Sequence, residues 1–154
     1  MSQDRPTPSG PAAPDLRTLE ERVYRGGNIW SYDPAIHLIV DLGVLEDYPT
    51  DMLPDFTDRL LALLPGVAAH SCSRGHEGGF GERLREGTWL GHVTEHVALQ
   101  LQQEAGHDLR RGKTRMVKGR RGVYNVVYGY ADEGVGLSAG RLAARLSSHR
   151  IEPE

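Results

Sequence analysis

At 154 residues the chain has the length of one domain. Its 38% apolar content supports a single core, and with only 6% aromatic residues Leu, Val and Ala must fill most of it. A net charge of −3 and a pI near 6.2 give no global attraction to nucleic acid or to an anionic membrane. A single cysteine, Cys72, excludes an internal disulfide and suits a reducing cytoplasm. No apolar run approaches the ~20 residues of a membrane span, and the N-terminus lacks the layout of a secretory signal.

Four of the nine prolines fall in the first fourteen residues, which predicts a disordered tail over residues 1–20 followed by one domain over 21–150. Arg22 to Arg25 alternate as a strand does, and Gly26-Gly27-Asn28 break the pattern. His37 to Leu42 form a second strand candidate, ended by Gly43. Leu53 to Leu64 carry apolar residues at helical spacing and stop at Pro65-Gly66. After a Gly-rich loop, Phe80 to Arg85 predict a short helix, and Thr88 is placed to cap a long helix that ends at Ala105-Gly106. Thr114–Val117 and Val123–Tyr130 predict a hairpin whose tip is Lys118 to Gly122. A last helix runs from about Gly136 to Ser148, with Leu137, Leu142 and Leu146 facing inward. The order β-β-α-α-α-β-β-α predicts an α+β fold: a small, largely antiparallel sheet with helices packed on one face.

The long helix carries "HVTEH". At about 100° per residue, His96 lies about 40° and Glu95 about −60° from His92, so the three share a stripe beside the apolar face of Leu90, Val93, Val97 and Leu101. Two histidines one turn apart can direct imidazole nitrogens at one tetrahedral Zn²⁺. The glutamate is poorly aimed to ligate but can take a proton from metal-bound water. This H-x-x-E-H string is the inverzincin arrangement; the alternative is a polar helix face without metal. A third ligand must come from elsewhere, with Glu133 the first candidate and Asp132 the second. Arg141 and Asn125 are candidate helpers of a developing oxyanion. His70 and His76 near Cys72 lack the partners of a structural zinc site, while His37, His107 and His149 read as structural or solvated.

The stretches "NIWSYDPAIHLIVDLG", "HSCSRGHEGGFGERLREGTWLGHVTEHVALQLQ" and "GVYNVVYGYADEGVGLSAGRLA" resemble the N-terminal domain of cyanophycin synthetase, from about Arg25 to Leu146. The resemblance implies a domain that holds cyanophycin, a poly-aspartate chain bearing arginine on each side-chain carboxylate. In some members it implies a zinc metallopeptidase that cuts the polymer into primers. It assigns His92 and His96 as ligands, Glu95 as base and Glu133 to the remaining ligand position. The polymer's guanidinium groups would suit Glu77, Glu82, Glu86 and Trp89. Its carboxylates would suit Arg83 and the basic stretch Arg110, Arg111, Lys113, Arg115, Lys118, Arg120 and Arg121, with Arg141 a further candidate. No ATP-binding domain follows in this sequence, so the expectation is a free-standing, cytoplasmic hydrolase, or else a polymer-binding or synthetase-docking module. Cyanophycin and a companion synthetase are its expected partners, not nucleic acid or membrane.

Overall fold

The computed structural model describes residues 16–148. Most of the expected tail, and His149, lie outside the described residues. Order nonetheless begins earlier than expected, because the first strand, β1, spans Arg17–Tyr24. It is followed by β2 (Ala35–Asp41), α1 (Pro54–Leu63), α2 (Gly79–Glu86), α3 (Leu90–Glu104), β3 (Gly112–Met116), β4 (Val123–Gly129) and α4 (Glu133–Ser147). The strands form one antiparallel sheet in the order β1-β2-β4-β3. This is the expected α+β architecture, with the helices on one face of the sheet.

Strand alternation decides which side chains meet the helices. Ile36, Leu38 and Val40 of β2, with Tyr124, Val126 and Tyr128 of β4, point into the shared core. On the other face, His37 of β2 donates from Nε2 to Asn125 Oδ1 at 2.7 Å and accepts at Nδ1 from the Tyr24 hydroxyl at 3.1 Å. The Trp30 ring covers His37 edge-on at 5.2 Å, which explains why this histidine is buried although it faces away from the helices. Among the described residues, no helix is long and apolar enough to cross a membrane.

The last helix departs from its predicted pattern. It starts at Glu133, because Asp132 caps it by accepting from the Val135 backbone at 2.9 Å. Leu142 is exposed, and the buried residues are small: Gly136, Ala139, Gly140, Ala143, Ala144 and Ser147. Small residues let the helix backbone approach the sheet closely enough for the Tyr128 hydroxyl to donate to the Gly136 carbonyl at 2.9 Å. A Cβ at Gly140 would stand 1.9 Å from that hydroxyl. Gly140→Ala should therefore lower stability by about 1–3 kcal/mol through overpacking, although alanine is normally the better helix former by about 1 kcal/mol. A urea titration would check the sign.

Candidate metal centre

α3 forms the wall of the site. Its N-cap is Trp89, which makes no side-chain cap bond, and Thr88 does not cap it as expected. Thr88 is tied to Thr50 through both of its backbone groups, at 2.8 and 3.0 Å, which turns its hydroxyl toward His92 Nδ1 at 2.9 Å. One turn further along, His96 Nδ1 lies 2.9 Å from Nδ1 of His70. Both α3 imidazoles are thus held by Nδ1, the arrangement that frees Nε2 for a ligand. His96 Nε2 is buried and has no hydrogen-bond partner, a polar atom that a bound ion would satisfy.

Glu95 approaches from the same helix. Its Oε1 accepts from the Thr114 hydroxyl of β3 at 2.7 Å, leaving Oε2 3.7 Å from His96 Nε2. One ligand-type atom from each of His92, Glu95 and His96 lies within 4.8 Å of the others. Glu95 is therefore better aimed at a shared ligand than helix spacing alone implied. β3 accommodates it with Gly112, where a Cβ would stand 2.6 Å from Oε2. The stripe is also deeper than expected: Glu95 is 5% and His96 4% exposed. Phe80 of α2 covers it, stacked on His96 at 4.0 Å and edge-on to His92 at 5.0 Å.

Burial sets the protonation states. It raises the Glu95 carboxyl to about 7, against smaller opposing effects from Thr114 and Arg115. It depresses His92 to about 4, helped by the charge of Arg83, and holds His96 well below the usual histidine range. Near neutral pH the site therefore presents uncharged imidazoles and a carboxyl poised to exchange a proton. Two imidazoles with a carboxylate oxygen beside them form a buried cluster that could hold a metal ion.

The other expected site residues divide. Arg83 stays close, donating to the Thr88 hydroxyl at 3.3 Å. Trp89, 40% exposed, anchors its indole N–H on the Glu46 carbonyl at 2.8 Å. Arg115 neighbours Thr114 on β3 and is close enough to act on Glu95. Glu133 stands outside the cluster. Both of its carboxylate oxygens are taken by Arg25, at 2.9 and 3.0 Å, near the start of α4, and Asp132 is spent as the cap. Arg141 is bound in the same two-point way to Glu21 of β1, on the far edge of the sheet. Asn125 faces away from the helices, against His37, so neither Arg141 nor Asn125 can serve an oxyanion here. Glu82 and Glu86 pair with Arg74, and Glu82 also with His76. In the basic stretch, Arg110 and Arg121 are paired with Asp108 and Asp47, while Arg111, Lys118 and Arg120 are exposed.

Comparison with known proteins follows this geometry. Residues 37–152 match the family of the cyanophycin synthase-like N-terminal domain. The chain belongs to that family. It is 44% identical over 139 residues to a cyanophycin synthetase of Synechocystis sp. and 41% identical over 138 residues to one of Geminocystis herdmanii. These alignments cover 88–89% of this chain and 16% of each relative. Another cyanophycin synthetase, of Crocosphaera subtropica, is 44% identical over 133 residues, covering 85% of the chain and 15% of the relative. A member of the cyanophycin synthase-like N-terminal family, the chain thus spans about a sixth of the length of the curated relatives it matches, and its candidate metal cluster lies inside the matched region.

Proposed function

We propose that this domain is a metal-dependent, peptidase-like hydrolase that cuts cyanophycin into short oligomers, with the poly-aspartate main chain as the favoured point of cleavage. The observation that carries this reading is the buried, unpartnered Nε2 of His96 facing Oε2 of Glu95 beside His92. His92 and His96 would hold Zn²⁺. When bound, the ion would polarise a carbonyl and acidify a nearby water. Glu95 acts as the base, its Oε2 free to take a proton while Thr114 fixes Oε1. A role for Glu133 as a further ligand would require its release from Arg25, so the mechanism rests on the three residues of α3.

The relatives are cyanophycin synthetases, and carrying that polymer over to this chain supplies the substrate class. Among the described residues β3 is an edge strand of the sheet, so an extended main chain could pair along it beside Glu95. Arg83 and Arg115 would meet polymer carboxylates, and Trp89 a guanidinium. A companion synthetase in the same cytoplasm would take up the oligomers.

The exposed Arg111, Lys118 and Arg120 favour a second reading, a polymer-binding or synthetase-docking module without catalysis. The two readings separate on insoluble cyanophycin and on the zinc content of protein purified without a histidine tag. The hydrolase should carry about one zinc per chain, the single catalytic ion of such sites, and should release soluble oligomers. Co-sedimentation without clearing would leave only the binding module.

A further inference from the structure

A line of three side chains leads from the centre to solvent: His70, Gln100 and the exposed Glu104. We infer that these are positioning residues that fix the tautomer of His96 and keep its Nε2 lone pair open to a ligand.

Each link in the line forces the next. A carboxylate only accepts hydrogen bonds. Gln100 Nε2 lies 2.8 Å from Glu104 Oε2, so the amide cannot be reversed without setting oxygen against oxygen. Gln100 Oε1 is thereby turned to Nε2 of His70, at 2.9 Å. A carbonyl oxygen also only accepts, so His70 carries its proton on Nε2. A neutral imidazole has a single N–H, and with that proton on Nε2 facing the Gln100 oxygen His70 Nδ1 is left bare. His96 Nδ1, 2.9 Å away, must then be the N–H that donates to it. The proton of neutral His96 is thus committed to Nδ1, and its Nε2, the buried atom without a partner, is a bare lone pair.

The packing frames the same line. A Cβ at Gly66 would stand 2.5 Å from Gln100 Nε2, so glycine at that position leaves room for the amide where Glu104 can fix it. Gln100 is 6% exposed, and a buried amide at this point has no reason to be polar unless both of its ends are used. Here both are.

This inference rests on the proposed metal reading only for its use, since the tautomer itself is a property of the metal-free protein. The test is nitrogen-15 NMR of histidine-labelled, metal-free protein near neutral pH, where protonated and bare ring nitrogens resonate far apart. The expected spectrum has His96 protonated at Nδ1 and His70 at Nε2; His96 protonated at Nε2 would overturn the assignment. Gln100→Met, which removes the acceptor for His70, should redistribute both tautomers and weaken zinc binding about 10–100-fold in a chelator competition, as loss of an outer-shell partner typically does. Unchanged tautomers in Gln100→Met would sink the relay. The expected tautomer in a protein that binds no zinc would uphold the relay and remove the metal reading instead. If Gln100→Met does not fold, the spectrum of the unaltered protein still decides.

Discussion

Glu95→Gln is expected to lower the release of soluble oligomers from cyanophycin by about 10²–10⁴-fold, the range that a positioned general base contributes, without unfolding the domain. Glutamine keeps the shape of the side chain and an oxygen to accept from Thr114. What it loses is the ability to take up a proton. The substitution also makes a prediction of opposite sign. In metal-free protein the carboxyl is raised from 4.5 to about 7, so its ionisation opposes folding. The neutral form carries no such penalty below pH 4.5, and the penalty grows as pH rises to about 7. Above that point Glu95→Gln should gain stability, with about 3 kcal/mol as the upper bound. Denaturant titrations with chelator on either side of neutrality, set beside the clearing assay, would test both. A variant that still clears cyanophycin at the parent rate would remove Glu95 from the chemistry.

Stripping the metal should lower the melting temperature at neutral pH and have progressively less effect on acidification. An ion present at about 100 times its dissociation constant contributes about 2.7 kcal/mol to the folded state, or roughly 5–11 °C for a domain of this size. The pH dependence follows from the histidines. His92 falls from 6.5 to about 4 on folding, and burial moves His96 in the same direction. Groups with depressed values contribute stability that is intact above pH 6.5 and is lost as pH falls toward about 4. Glu95 works in the opposite sense across nearly the same window, and two histidines outweigh one carboxyl. The metal-free protein should therefore weaken on acidification below pH 6.5. Protons also compete with the ion for the same nitrogens, so the holo and metal-free melting curves should converge in acid. Curves that stay parallel would place the ion elsewhere.

The cluster confined to one helix was legible in the sequence. Helical geometry turns the spacing of His92, Glu95 and His96 into a shared stripe, and these are the residues that cluster. The antiparallel sheet and the helices on its face followed from periodicity and turn residues in the same way. What could not be read was who faces that stripe. His70, Gln100's partner, is 26 positions from His96, and Thr114 is 19 from Glu95; no local periodicity spans such separations. Glu133 and Arg141 were misplaced for the same reason. Strand order decides which edge of the sheet a residue reaches, and with β1 on one edge and β3 on the other, each of these two lies against a partner from the N-terminal part of the chain. Of the leucines expected inward on the last helix, Leu137 and Leu146 pack against the core while Leu142 is exposed, and the fully buried positions are mostly glycine and alanine, because the identity of an inward residue depends on how near the neighbouring layer comes. In this case Tyr128 sets that distance.

The tie from Glu95 to Thr114 joins the helical layer to the edge strand, while His96 is tied through His70 to the segment before α2. His92, Glu95 and His96 all sit on α3 itself. Heat inactivation should therefore coincide with global melting instead of preceding it, and partially opened forms of the domain should be catalytically silent.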